Sequence, residues 1–132
     1  MAKAPTGRDG HYPYQTAIDA YGDGGFRFAG MSHRGSLLCL PAGMFAWSVT
    51  APQAIDRAAF AAVLDAEAGI EVLLVGTGDD IVFLPPGLRD AFGARGIGIE
   101  PMSTGAAVRT YNVLLDERRK VGAALIAVER AR

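Results

Sequence analysis

Residues 98–112 read GIEPMSTGAAVRTYN and decide the fold class. The apolar residues 97–100 are predicted to form a short strand, and a helix is predicted to follow over about 104–120. Ser103 or Thr104 is expected to cap the helix, because a hydroxyl oxygen can accept hydrogen bonds from first-turn N–H groups. A strand that leads almost directly into a helix is typical of α/β domains.

The preceding and following segments extend this alternation. Residues 71–75, EVLLV, are apolar on both faces, as expected for a central strand that is covered on two sides. A helix with an apolar stripe is predicted between Ile55 and Gly69, with Asp56 as its cap. The other predicted elements are a strand over 81–84, a two-turn helix starting at Pro85 and Pro86, and a final strand over 121–128.

The N-terminal part is predicted to form three strands, over 26–31, 36–40 and 44–49, in an antiparallel meander. Glycine-rich turns over 21–25 and 32–35 separate them. His33 falls in the second turn and is therefore expected to face solvent or to act as a hydrogen-bonding turn residue. Together, the elements predict a mixed sheet backed by helices, with an antiparallel N-terminal part.

Composition narrows the class of protein. The chain has 132 residues and a net charge of -1, so we expect one domain over 16–132, a flexible or extended arm over 1–15, and no nucleic-acid partner. No signal peptide and no apolar run of membrane-spanning length is found, which predicts a soluble, cytoplasmic protein without direct membrane insertion. Cys39, the only cysteine, cannot form an internal disulfide and is expected to be a buried, inert thiol.

A candidate site follows from two loops, over 76–80 and 101–105. If their parent strands are parallel neighbours, both loops open at one edge of the sheet, where ligands of α/β folds bind. Glycines permit close approach of the backbone, and a helix start favours anions. The proposed crevice residues are Gly76, Thr77, Gly78, Ser103, Thr104, Arg109 and Asn112.

Arg109 lies in the second helical turn, where the helix dipole disfavours a cation. It therefore needs a partner, for which two alternatives stay open. One is a small anion held by the helix start, Arg109 and Thr77. The other is an internal pair with Asp79, Asp80 or Glu100 that needs no ligand.

No set of catalytic residues emerges from the sequence. The serines lack the Gly-x-Ser-x-Gly context, and His33 lacks an evident nucleophile or orienting acid. No metal-ligand spacing and no cofactor motif is found, so we expect no metal and no cofactor. Whether the protein is an enzyme stays open, although the residues favour a non-enzymatic role.

Several motifs occur in an order that resembles a known family. They are FRFAG at 26–30, GSL at 35–37, Trp47, LVGTG at 74–78 and MSTGAAVRTYN at 102–112. The chain resembles the Mth-like family of small α/β domains of unknown function, which includes the adipogenesis-associated Mth-like protein and a mitochondrial complex I assembly factor. The resemblance covers about residues 15–129. It implies a three-layer arrangement: a mixed central sheet with helices on one side, and an antiparallel meander or hairpin sheet.

The functional hypotheses differ in class. The first is a protein-interaction or assembly-accessory factor, which the resemblance to a complex I assembly factor implies. The second is a small-molecule or anion-binding protein that uses the crevice of residues 76–78 and 104–109, either as a binder alone or as an enzyme of unknown reaction. A homodimer through edge residues such as Met44 and Phe45 is a further possibility.

Overall fold

A computed structural model describes residues 12–65 and 69–131. Eight strands and three α-helices are present within these ranges. The strands are β1 (Ala20–Gly22), β2 (Gly25–Phe28), β3 (Met31–Arg34), β4 (Ser36–Leu40), β5 (Gly43–Trp47), β6 (Val72–Gly76), β7 (Gly98–Met102) and β8 (Val121–Leu125). The helices are α1 (Ala61–Asp65), α2 (Pro86–Gly93) and α3 (Thr104–Asp116), and 3-10 turns cover Pro52–Ala54 and Ala58–Phe60.

The strands form two sheets. The central sheet has five strands in the order β5-β4-β8-β6-β7, and the small sheet has three in the order β1-β2-β3. Strand β6 pairs in parallel with both β7 and β8, whereas β4 is antiparallel to β5 and β8. The central sheet is therefore mixed, as the sequence predicts.

The central sheet is covered on both faces, and its strands alternate accordingly. In β6, Leu73 and Val75 pack in one core cluster with Phe60 of the second 3-10 turn and Phe92 of α2. Leu74 points to the other core cluster, which holds residues of α3 and of the small sheet. The three-layer arrangement is confirmed. The expectation that the helices lie on one side is wrong in this detail, because both apolar faces of β6 need cover and α3 supplies it opposite α1 and α2.

The predicted meander is divided between the two sheets. Strands β1 to β3 make the small antiparallel sheet, and β4 and β5 form a hairpin at one edge of the central sheet. Gly35, with a φ of 95°, lies between β3 and β4 where the chain changes sheet. Such a φ strains any residue with a side chain, so glycine permits this change of direction.

His33 is not a turn residue. It lies in β3, pairs with Phe26 of β2, and is only 5% exposed. Its Nε2 lies 2.8 Å from the carbonyl oxygen of Ser36. Residues 31–34 alternate between outward and inward positions, which is the period of a strand, whereas the polar residues 32–34 before Gly35 had favoured a turn over 32–35.

Residues 81–84 also differ from the prediction, because they form no strand. Both sides of β6 are already occupied, by β7 and by β8, so a strand that follows directly after β6 has no vacant neighbour there. Ile81, Val82 and Phe83 are instead exposed on a loop that leads to α2.

The helix predicted between Ile55 and Gly69 is shorter and less regular than expected. Asp56 does act as a cap, since its Oδ1 accepts from Ala59 N at 2.9 Å. Within the described part of the predicted range, only the second 3-10 turn, Ala58–Phe60, and α1, Ala61–Asp65, are helical. Residues 66–68, where the predicted helix would end, lie outside the described residues.

Met44 was expected to be exposed at an edge, and this is wrong. Tyr12 forms a two-way bridge with it: Met44 N donates to the Tyr12 carbonyl at 2.9 Å, and Tyr12 N donates to the Met44 carbonyl at 3.3 Å. Met44 is fully buried and Phe45 is partly buried. The proposed arm over 1–15 falls largely on residues 1–11, which lie outside the described residues. In the described ranges, no helix has the length and apolar character needed to span a bilayer.

Candidate binding site at the carboxyl edge of the central sheet

The loops after β6, β7 and β8 open at the same edge of the central sheet, because these three strands are parallel. In register, Gly76 lies between Met102 and Leu125, which are the last residues of β7 and β8. The proposed residues of the 76–78 loop and of the α3 start are therefore neighbours in space.

Thr77 is held inside this edge by its own hydroxyl. The Oγ1 atom donates toward the carbonyls of Asp80, at 2.7 Å, and Met102, at 3.1 Å, and accepts from Val82 N at 3.0 Å. The residue is 2% exposed. Its hydroxyl thus closes the turn that follows β6.

Thr104 plays a corresponding part at the start of α3 and is fully buried. Its Oγ1 donates to the Ile126 carbonyl at 2.7 Å and accepts from Gly78 N at 3.0 Å. Its backbone N donates to the Gly78 carbonyl at 2.8 Å. A Cβ on Gly76 would lie only 2.9 Å from Thr104 Cα, so glycine is required for this close packing.

The start of α3 is capped by Ser103, one of the two residues that the sequence offers as its cap. Ser103 Oγ accepts from Ala106 N at 3.3 Å, and its carbonyl accepts from Ala107 N at 2.9 Å. With the bond from Thr104 N to Gly78, these contacts occupy much of the donor capacity of the helix start. Backbone groups proposed to hold an anion are thus largely engaged within the protein.

Arg109 lies on the exposed face of α3, at a small cavity of about 170 Å³. Arg130 and Asp79 line the same cavity, so both signs of charge are present. Gly105 forms part of the lining and leaves room for Tyr21, because a Cβ at this position would overlap the Tyr21 hydroxyl. Of the three carboxylates considered as internal partners, Asp79 is the one that shares this cavity with Arg109.

Asn112 does not line this cavity; its amide binds the N-terminal segment. Its Oδ1 accepts from Ile18 N at 2.9 Å, and its Nδ2 donates to the Ile18 carbonyl at 2.8 Å. Tyr111, one position earlier, donates its hydroxyl to the Thr16 carbonyl at 2.7 Å. These side chains of α3 fix the segment that leads into β1.

A second, larger cavity of about 380 Å³ shares Gly78 and Asp79 with the smaller one. It is lined by Thr50, Ala51, Pro52, Thr77, Gly78, Asp79, Asp80, Val82, Ile126, Ala127, Val128 and Glu129. Its charged lining residues are all carboxylates. Val82 lines this cavity and is also one of the exposed residues of the apolar loop.

The buried Cys39 has no chemical role in this arrangement. The cysteine is fully buried, and burial raises the pKa of its thiol far above the usual range. Burial, and then the neighbouring Cys39, likewise raises the pKa of the Tyr111 hydroxyl. Both groups therefore stay protonated at neutral pH. Across residues 12–65 and 69–131, no three His, Cys, Asp or Glu side chains converge as metal ligands.

Residues 18–126 match a protein family of unknown function, DUF498/DUF598. The chain belongs to this family. The DUF498/DUF598 chain is similar to a mouse protein named NADH dehydrogenase (ubiquinone) 1 alpha subcomplex assembly factor 3, with 36% identity over 115 residues. This alignment covers 87% of the chain and 62% of the mouse protein, so the chain spans about three-fifths of that relative's length.

Solved structures of bacterial proteins share the fold of this chain. A crystal structure described as an outer membrane protein from Bartonella henselae is 50% identical, with a TM-score of 0.85 over 90% of this chain and all of that one. A Bordetella pertussis protein described as an Mth938-like domain is 31% identical, with a TM-score of 0.74 over 88% of both chains. These likenesses confirm the predicted family resemblance and fold class.

Sequence reasoning missed several residues at this edge. Tyr21 and Arg130 line the smaller cavity although they lie far from α3 in the chain. The sequence points to Tyr21 only indirectly. Gly105, in the first turn of α3, indicates that another residue packs closely against the helix there. The sequence shows an apolar run over 81–84, but it does not show that this run is exposed.

Proposed function

We propose that this protein is an assembly-accessory factor that binds protein partners through the carboxyl edge of its central sheet. One structural contrast supports the proposal. The hydroxyls of Thr77 and Thr104 are used in internal hydrogen bonds, whereas Ile81, Val82 and Phe83 are exposed beside them. The edge thus offers apolar contact area more than vacant polar groups, as suits a protein-binding surface.

The name of the mouse relative suggests the class of partner. That relative is called an assembly factor of NADH dehydrogenase, and it shares 36% identity with 87% of this chain. We propose that the partner here is a subunit or an assembly intermediate of the respiratory NADH dehydrogenase, met on the cytoplasmic side.

Deletion of the gene in its native host tests this function. We expect less fully assembled NADH dehydrogenase on native gels, less NADH-dependent quinone reduction by isolated membranes, and accumulation of subassemblies. Re-expression of the natural chain restores all three. Unchanged enzyme levels and activity in the deletion strain would contradict the assembly role.

A second candidate function is anion binding at the smaller cavity, and the pair Arg109 and Arg130 in its lining favours it. Two guanidinium groups can bind an oxyanion through several donors. Titration with inorganic phosphate should then raise the melting temperature of the natural protein, and Arg109→Ala should abolish the rise. Arg119→Ala, an exposed change beyond the end of α3, is the matched control. No phosphate-dependent rise in the natural protein would exclude phosphate as the ligand.

A further inference from the structure

The loop after β6 exposes three consecutive apolar side chains. Ile81 is 51% exposed, Val82 is 40% exposed and Phe83 is 82% exposed. The loop is tied at its base, because Thr77 Oγ1 binds both Val82 N and the Asp80 carbonyl. These side chains are therefore held outward by a hydrogen-bonded turn, and contiguous exposed apolar residues indicate an interaction site.

Acidic side chains border this loop on one side. Asp79 and Asp80 directly precede it, and Glu129 lines the same 380 Å³ cavity as both of them and Val82. Among the described residues that line this cavity, none is Lys, Arg or His. Asp79 also lines the smaller cavity, together with Arg109 and Arg130, whereas Asp80 and Glu129 line only the larger of these two cavities. The apolar loop and its acidic border together make an acidic–apolar surface, defined as Asp79, Asp80, Ile81, Val82, Phe83 and Glu129.

The edges of the central sheet are poor alternatives for a partner. At one edge, Tyr12 already forms a bridge with Met44 of β5. At the other, Arg89 Nη1 donates to the outward carbonyl of Ile99 in β7 at 3.1 Å. Pro101 lies two residues further along the same side of β7 and has no N–H to offer. Strand addition is thus hindered at both edges of the central sheet, which favours a partner that contacts side chains over one that pairs with this sheet.

We propose that the acidic–apolar surface binds a segment of a partner protein in which an apolar residue is flanked by Lys or Arg. This inference rests on the proposed assembly function and specifies the chemistry of its partner. The apolar residue packs on Phe83 and its neighbours, while the basic residues approach the three carboxylates. Complementary charge of this kind fixes the register of binding and raises the association rate.

Charge also argues against other occupants. In a symmetric dimer through this surface, the carboxylates of one copy would face those of the other, and like charges oppose such contact. An anionic lipid surface would be repelled for the same reason. A basic–apolar protein segment avoids both penalties.

Site-specific photo-crosslinking in the native host tests the proposal. The probe is p-benzoylphenylalanine incorporated in place of Phe83, and the matched control carries it in place of Val113, which is 56% exposed on α3. Mass spectrometry then identifies the crosslinked segment. We expect crosslinks from position 83 to a protein segment with basic residues beside an apolar one, and none to that segment from position 113.

The charge requirement is tested in the same strain. Adding Asp79→Asn and Asp80→Asn should reduce the crosslink yield from position 83 about tenfold, whereas Asp116→Asn on α3 should leave it unchanged. High salt should reduce the yield in cell extract, because exposed charges are screened. A yield that resists both the double substitution and salt would overturn the role of the carboxylates.

The outcomes separate this inference from the proposed function. Crosslinks to a segment without basic residues, to a second copy of this chain, to lipid, or to nothing would overturn the inference. If deletion of the gene lowers NADH dehydrogenase assembly but these crosslinks are absent, the assembly role stands and the surface is wrong. If the crosslinks form as expected and deletion leaves assembly unchanged, the surface stands and the assembly role fails.

Discussion

Thr104 and Gly78 are joined by two hydrogen bonds that run in opposite directions. Thr104 N donates to the Gly78 carbonyl at 2.8 Å, and Gly78 N donates to Thr104 Oγ1 at 3.0 Å. The pair connects the loop after β6 to the first residue of α3. Because Thr104 is fully buried, water cannot replace either bond. Residues that resemble a ligand-binding motif in sequence thus stabilise the fold.

Replacing the Thr104 hydroxyl should lower stability without changing side-chain volume greatly. In Thr104→Val, Gly78 N and the Ile126 carbonyl lose their partner in a buried setting, which costs about 2–3 kcal/mol. Thr104→Ser keeps the hydroxyl and should lose clearly less. Urea unfolding at pH 7 measures both, and equal stabilities of the two variants would contradict the hydrogen-bond account.

Gly76→Ala should destabilise the protein through steric overlap. The added Cβ would lie 2.9 Å from Thr104 Cα and 3.1 Å from Leu125 Cδ2, so β6 and α3 must separate, at a cost of about 1–3 kcal/mol. Gly87→Ala on α2 is the matched control, since nothing lies within 4 Å of its added Cβ. Thermal unfolding should show a lower melting temperature for the first variant and an unchanged or higher one for the second.

Asn112→Ala should loosen the segment that leads into β1. Both bonds to Ile18 are lost, which should cost about 1–2 kcal/mol and accelerate hydrogen exchange at the Ile18 amide. Val113→Ala, an exposed change at the next position, should alter stability by less than about 0.5 kcal/mol. Ile18 exchange that is unaffected by the loss of Asn112 would show that the segment is held by other contacts.

Alkaline pH should destabilise the protein in a way that depends on Cys39. Burial raises the pKa of this thiol, so it stays protonated in the folded state while the unfolded chain ionises it near pH 9.0. The unfolded state then binds fewer protons, and stability that is complete below pH 9 falls as the pH rises, by at most about 1.4 kcal/mol per pH unit for one group. Urea unfolding from pH 8 to 11 should show a shallower decline for Cys39→Ala. Parallel curves would refute the assignment to this thiol.

The parts of the fold that were predicted correctly depend on strong local patterns. The apolar run over 71–75 identified a strand covered on both faces, because consecutive apolar side chains point to opposite faces and Leu73, Leu74 and Val75 are all buried. The cap of α3 was narrowed to Ser103 or Thr104, and α3 was predicted as a helix, from the residue types at these positions. Each of these features depends on residues within a few positions of it in the sequence.

The errors arise where distant parts of the chain decide the outcome. His33 is buried because it shares a face of the small sheet with Phe26 and Phe28, which pack in the second core cluster, and no local signal conveys this. Ile81 and its neighbours have strand-like composition, yet the positions beside β6 are already filled by β7 and β8. For the candidate site, proximity of the two loops followed from parallel pairing, but the internal use of Thr77 and Thr104 required the tertiary contacts.

The blocked edge of β7 lowers the tendency of the protein to aggregate. An exposed apolar loop such as that around Phe83 is an aggregation hazard, above all when a sheet edge nearby can recruit further chains into fibrils. The Arg89 side chain on Ile99 and the missing N–H of Pro101 remove that route. The fold can therefore leave Ile81, Val82 and Phe83 exposed with less risk that β7 recruits further chains by strand addition.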